Sequence, residues 1–423
     1  MTVKVIDAIC GAGKTSYAIQ YMNEHMDKLF IYVTPFLTEV ERIKTQTIKE
    51  FFEPNAKSEN GKKINHVKTL VEEAVNIVMT HELFARLDEE ILFNIKKEGY
   101  VLIMDEVANV LDTVSDVDKD DIRVMIDSNL IKIEEDGQIT WLDPLYQGKK
   151  FSDIKILSLK KNLFLHNNSI IFWTMPVSNF KSFKDVYILT YLFDGQIQKY
   201  YYEMKNISYE KYSVRRNDEM KYELVTYDRT QEPRNLIGSL LTIYEDYQSS
   251  TGRKSSMNSN YLNKKNNPEK ALSKNWYDKA DAKQIEQIKK NLVSIFRTQN
   301  HVSNDELFWT SFKGHAASLK NVKCKLNKKD DRSKDNFVPF NTRATNDYAD
   351  RKATAFLLNR FMNPNEYQFF SYRGIEVDEE LLAISDLIQF LFRGCIRNNE
   401  QMYCYIPSAR MRRLLKEWIN FEI

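Results

Sequence analysis

An apolar run at residues 3–8 leads directly into Cys10-Gly11-Ala12-Gly13-Lys14-Thr15-Ser16, and a helical pattern begins at Thr15. A strand that passes over small residues into a helix belongs to a crossover unit, and the units that follow repeat the pattern. Apolar runs at residues 30–34 and 75–80 each precede another helical segment, so strands and helices alternate. That alternation implies a parallel sheet covered by helices. Further strands are expected at residues 100–104, 169–174 and 185–191, closing a first α/β domain over residues 1–200. Residues 108–168 interrupt it with mixed signals, including an acidic piece at 116–121 and a hairpin at 131–141, and read as an insertion.

The polar, tyrosine-rich stretch 201–233 reads as a linker, and residues 234–423 as a second α/β domain. Its expected helices cover 235–247 and 280–297, start at Ala349 and Ser408, and run through 381–397. Its expected strands are 306–312, 336–340, 367–371 and 402–406. Residues 249–275, dense in Ser, Asn and Lys, read as a mobile basic loop. A chain of 423 residues is long enough for two such cores.

Charge excludes little: 61 basic residues nearly cancel 59 acidic ones, so a nucleic-acid surface has to be a local groove rather than a global field. The four cysteines form no Cys-x-x-Cys pair, which argues against zinc and for free thiols in a reducing compartment. No apolar run approaches the roughly 18–20 residues of a membrane span. A soluble, cytoplasmic protein with no membrane partner is expected.

Three groups of residues carry chemistry. In the first, Gly11 and Gly13 allow close backbone approach, while the loop amides and the helix N-terminus point at phosphate oxygens. Lys14 reaches β- and γ-phosphates, Thr15 ligates magnesium and Ser16 adds a donor, with Cys10 and Ala12 completing the loop. Ala8 stands where the usual pattern has its first glycine. In the second, Asp105 ends an apolar strand, where ligands meet open α/β sheets, and Glu106 follows as a candidate general base. The alternative for this pair is a solvated acidic turn. In the third, Gln389, Arg393 and Arg397 recur every four residues, which places them on one face of the expected helix. Two arginines on a second domain suit stabilisation of γ-phosphate charge when lobes close; the alternative is a solvated amphipathic helix.

Taken in order, these groups resemble the superfamily 2 (DEAD/DEAH-like) helicases, most closely compact phage-encoded ones, over nearly the whole chain. Residues 10–16 resemble motif I and Met104-Asp105-Glu106-Val107 motif II. Val33-Thr34-Pro35 resembles motif Ia, Met79-Thr80-His81 a Thr-Thr-His element, and Trp173-Thr174-Met175-Pro176 stands in the place of motif III. Residues 308–314 resemble motif IV, 341–346 motif V and 389–397 motif VI. The resemblance implies two tandem RecA-like domains, each a mainly parallel sheet flanked by helices, with an ATP site in the cleft between them. It implies ATP and Mg²⁺ as cofactors, and Lys14, Asp105, Glu106, Gln389, Arg393 and Arg397 as the catalytic set.

The motif VI spacing departs from the family, whose second arginine usually comes three residues after the first. Which of Arg393 and Arg397 is the finger therefore stays open. Thr34, Pro35, Thr80 and His81, with Ser311, Thr345 and Asn346, match positions that touch a single strand, and Thr174 a position that couples nucleotide state to grip. A strand-end threonine or histidine also serves as a helix cap. Implied partners are single-stranded or branched DNA, with RNA as the alternative, and replication or recombination proteins of a phage. Competing expectations are a duplex translocase without strand separation, a scaffold that has lost turnover, and a small-molecule nucleotide kinase.

Overall fold

The computed structural model describes residues 2–35, 37–56, 61–252, 254–261, 267–320, 336–340 and 347–423. Two compact units divide the chain. The first comprises Met1–Ala8, Ala12–Tyr227 and Asn363–Val377, and the second Ile9–Gly11, Asp228–Met362 and Asp378–Ile423.

In the first unit the chain lays down β1 (Val3–Asp7), β2 (Phe30–Thr34), β3 (Phe51–Phe52), β4 (Asn76–Thr80) and β5 (Val101–Asp105). The inserted β6 (Leu111–Thr113), β7 (Ile131–Ile133), β8 (Ile139–Trp141), β9 (Leu163–His166) and β10 (Ile170–Thr174) follow. Then come β11 (Asp185–Thr190), β12 (Tyr209–Arg216) and β13 (Tyr222–Thr226). The main sheet has eight strands in the order β13-β12-β1-β11-β5-β2-β4-β3, parallel except for the β12–β13 pair. Its inner strands are apolar runs because both faces are covered. Val3, Val5, Ile31, Val33, Leu102 and Met104 pack to one side. Ile6, Phe30, Tyr32, Val101 and Ile103 pack to the other, as the two-residue period of a strand dictates.

Two expectations change here. The stretch read as a linker supplies β12 and β13, which extend the main sheet beyond β1. Apart from buried Val214 their side chains are half-buried or exposed, so these outer strands read as polar. The strand containing Thr174 does not enter the main sheet. It is the middle of an antiparallel three-stranded sheet, β6-β10-β9. The insertion thus runs through Thr174 and has a core of its own, including Ile122, Met125, Ile139, Trp141, Phe151 and Leu163.

The second unit holds β14 (Leu241–Ile243), a two-stranded ribbon of β15 (Tyr247–Gln248) and β16 (Lys254–Ser255), β17 (Leu307–Thr310), β18 (Ala353–Phe356) and β19 (Met402–Tyr405). A parallel sheet, β14-β19-β18-β17, forms its centre. The helix Ala409–Ile419 starts where Ser408 accepts from the Met411 amide. Residues 353–356, expected within a helix, are a fully buried strand. Residues 367–371, expected as a strand, lie in the helix Pro364–Ser371, which Asn363 caps and Pro364 opens. That helix belongs to the first unit. Cys10, Cys395 and Cys404 are free thiols, and Cys324 lies outside the described residues. No helix of the described residues is long and apolar enough to cross a membrane.

Candidate functional site

The main sheet of the first unit brings the C-terminal ends of β1, β2, β4, β5 and β11 to one edge, because its inner strands run parallel. β1 ends at Asp7, which is buried and was not singled out from sequence. Its carboxylate accepts from the amides of Leu192 (2.8 Å) and Phe193 (3.0 Å). The next amide, Ala8, donates to the Thr190 carbonyl at 3.1 Å. Asp7 thus fixes where the chain leaves the sheet. The signal was present, an acidic residue closing an apolar strand, as at Asp105.

Beyond Ala8 the chain turns through Gly11 (φ 85°) and Gly13 (φ 97°), a region that L side chains rarely occupy. At Gly13 a Cβ would also lie 2.2 Å from the Tyr222 ring on β13. The helix Lys14–Glu24 then begins with no side-chain cap, leaving its first amides without a capping side chain. Lys14 folds back, its Nζ donating to the Ala8 carbonyl at 2.5 Å. Thr15 and Ser16 occupy the first turn, half-buried.

Asp105 ends β5 and is 7% exposed. Burial, then the charges of Glu106 and Glu39, push its carboxyl up to about 7 against the opposing influence of Lys14 and Tyr32. Tyr32 lies fully buried, its phenol raised by that burial and by Asp105. Glu106 adopts a left-handed backbone (φ 64°), its amide held by the Leu189 carbonyl at 2.8 Å. A non-glycine residue in that conformation is strained by about 1–2 kcal/mol. Two residues on, the Ala108 amide donates to the buried Gln198 at 2.7 Å.

The four track candidates of this unit divide. Thr34 is fully buried and its hydroxyl has no partner, so it presents no surface to a strand; Pro35 follows in a bend. Thr80 caps the helix His81–Phe84, accepting from the Leu83 amide at 3.4 Å. His81 turns inward, its Nε2 2.9 Å from the Asp105 carbonyl oxygen. Thr174 is buried in the small sheet, its amide donating to the Asn162 carbonyl at 2.8 Å and its hydroxyl at 3.5 Å.

In the second unit the helix expected through Arg397 ends at Leu391. Three residues on, a Cβ at Gly394 would meet the Met402 sulfur at 2.6 Å and the Phe308 ring at 2.8 Å. Gln389 is on the helix and donates to the Ser385 hydroxyl at 3.1 Å. Arg393 sits in the following turn, 4% exposed, donating to the carbonyls of Pro339 (3.1 Å) and Phe340 (3.0 Å). Arg397 lies exposed in the short helical turn Cys395–Asn398. The three residues do not share one helix face, because the regular period breaks between the first and second. Ser311 is buried and donates to the Leu357 carbonyl at 3.3 Å. Thr345 and Asn346 lie outside the described residues, as do residues 341–344 of the same motif.

Among the described residues no group of three or more His, Cys, Asp or Glu could hold a metal ion alone. Any divalent ion at this edge would draw on Asp105 with hydroxyl, phosphate or water oxygens, the donor set of magnesium.

Family matches cover three segments of the chain. Residues 3–116 match the family described as type III restriction enzyme, res subunit, which supports a distant relationship of the first domain to the helicase superfamily. Residues 111–173 match the YonV middle domain and 237–419 the YonV C-terminal Rossmann-like domain. The SPbeta prophage-derived uncharacterized protein YonV of Bacillus subtilis (strain 168) is 36% identical over 432 residues, spanning 99% of this chain and 98% of that one. Two solved structures, titled XPD_Helicase and XPD_APO, are 11% and 12% identical, with TM-scores of 0.43 and 0.44. Each spans 98% of this chain, and 94% and 95% of its own.

Proposed function

The chain belongs to the YonV family, and we propose that it is an ATP-dependent nucleic-acid motor, a helicase acting on DNA in phage replication or recombination. The observation that carries this reading is the placement of Lys14 and Asp105 at one sheet edge. The loop after β1 ends in a lysine that opens an uncapped helix, and the parallel β5 ends in a buried carboxylate. The match of residues 3–116 and the prophage origin of the relative support it.

The residues fit ATP with magnesium. The positive-φ glycines and uncapped amides suit phosphate oxygens, and Lys14 exchanges the Ala8 carbonyl for a phosphate. Asp105, with Thr15, would hold magnesium; its buried carboxyl is crowded by Glu106 and Glu39 and gains from a cation. Bound magnesium supplies charge neutralisation at the β- and γ-phosphates. Glu106, held in its strained turn, orients the attacking water and takes its proton. Arg397 rather than Arg393 is the candidate finger, since Arg393 spends its guanidinium on two carbonyls.

The test is the ATPase rate of the full chain with no polymer, single-stranded DNA, duplex DNA, branched DNA and RNA. Stimulation by single-stranded or branched DNA, lost in Lys14→Ala, is expected. No hydrolysis under any condition, or a rate unchanged in Lys14→Ala, would overturn the reading. Stimulation by RNA alone would replace DNA as the track.

A further inference from the structure

Away from the loop and β5, the first unit contains a cavity of about 710 Å³, inside the roughly 300–1,000 Å³ typical of small-ligand sites. Four segments distant in sequence build it: the turn at Gly137, strand β9 with Asn167, the end of the helix Ile197–Met204 with Lys205 and Asn206, and the turn after the helix Pro364–Ser371. None of its residues has a role in the proposed ATP site.

Two cations meet around one ring. Lys205 Nζ stands 4.6 Å from the centre of Phe164, and the Arg373 guanidinium 5.1 Å from it and 3.9 Å from Phe369. Arg373 is anchored by bonds to the carbonyls of Phe369 (2.8 Å) and Asp136 (2.6 Å), but its buried Nε has no partner. The Lys205 ammonium, among the described residues, makes neither a hydrogen bond nor an ion pair; it faces Phe164 and feels Asp136 only at longer range. Burial lowers the pKa of both groups, the signature of cations short of counter-charge. Beside them His166, 3% exposed, has a buried Nε2 without a partner.

Gly137 is required at this wall. Its φ is 84°, and a Cβ would lie 2.8 Å from the Leu165 carbonyl oxygen and 3.2 Å from Arg373. At the mouth, the Tyr372 ring is 68% exposed and 5.5 Å from the His166 ring. The lining carboxylates lie on the rim: Glu135, Asp136 and Glu203 are exposed, Glu203 pairs with Lys199, and Asp136 accepts from the Gln138 amide.

We propose that this cavity is a second nucleotide-binding site, in which Lys205 and Arg373 hold a phosphoryl group and Tyr372 stacks on the base. A half-buried ammonium without a partner gains charge-assisted hydrogen bonds from a phosphate oxygen. A planar ring beside the phosphate gives the exposed tyrosine a partner, and rim carboxylates accept from a base amine. A free mononucleotide and one nucleotide of a single strand share this chemistry.

The test uses the full chain carrying Lys14→Ala, so that the loop after β1 contributes little, titrated calorimetrically with AMP, inorganic phosphate and a short single-stranded oligonucleotide. Binding of AMP or the oligonucleotide is expected, weakened at least roughly tenfold by added Lys205→Gln and restored by Lys205→Arg. Tyr372→Ala weakens AMP and leaves inorganic phosphate unchanged. Binding of AMP alone assigns the site to a free nucleotide; displacement of AMP by the oligonucleotide assigns it to a strand. No binding of either, or equal affinity with and without Lys205→Gln, overturns the proposal. The ATPase reading is unaffected by that failure, because it concerns Lys14.

Discussion

His81 and Asp105 are joined at the sheet edge: the imidazole Nε2 lies 2.9 Å from the main-chain carbonyl oxygen of Asp105. His81, expected as a nucleic-acid contact, links the end of β4 to the end of β5. His81→Ala is expected to lower stability by about 1 kcal/mol and to slow ATP turnover, while changing affinity for single-stranded DNA little. Urea unfolding, ATPase rates and fluorescence anisotropy check the three parts; a large loss of DNA affinity with normal turnover would return His81 to the track.

The strained backbone at Glu106 separates activity from stability. Replacing Glu106 by Gly removes the penalty of a side chain at φ 64° and is expected to stabilise the protein by about 1 kcal/mol, offset in part by the greater freedom of the unfolded glycine. The same change, like Glu106→Gln, is expected to reduce turnover on the order of 10²–10⁴-fold. Parallel denaturation and ATPase measurements decide it.

Asp105 makes stability depend on pH. Burial raises its carboxyl to about 7, against about 3.9 in an unfolded chain. Between those values the folded form keeps a proton that the unfolded form has lost. The contribution is full below about pH 4, falls as pH rises, and is lost above about pH 7. Asp105→Asn is expected to flatten this slope in unfolding measurements made without magnesium, and magnesium to reduce it in the wild-type chain. An unchanged slope in Asp105→Asn would show that other groups set it.

The two arginines are expected to fail differently. Arg393→Ala removes a buried guanidinium and leaves the half-buried carbonyls of Pro339 and Phe340 without these donors, at a cost of about 2–4 kcal/mol. Arg397→Ala, at an exposed position, is expected to keep the melting temperature and to lose on the order of 10³-fold in DNA-stimulated turnover. Thermal melts beside ATPase assays assign the finger, and a turnover loss confined to Arg393→Ala with an unchanged melt would reverse the assignment.

Legibility followed the physics of burial. β2 and β5 are buried at every position, so their unbroken apolar runs could be read directly, as could the glycines and Lys14 after β1. β12 and β13, at the outer end of the sheet, could not, since mostly half-exposed strands carry a polar sequence. The expected arginine helix ends at Leu391, so Arg393 and Arg397 fall outside its period. Thr34, Thr80 and His81 were located at strand ends by sequence, but which way each side chain turned was not.

By itself, then, the sequence determined the strand–loop–helix opening, the parallel central strands and the acidic close of β5, because backbone freedom at glycine and apolar periodicity are local properties. Only the tertiary structure decided that Asp7 clamps the exit of β1, that Glu106 is strained and that Arg393 is committed to a turn. It also decided that Lys205 and Arg373 meet around Phe164. Each of these depends on partners far away in the chain, and long-range packing sets the distance, burial and hydrogen bonding from which a side chain's chemistry follows.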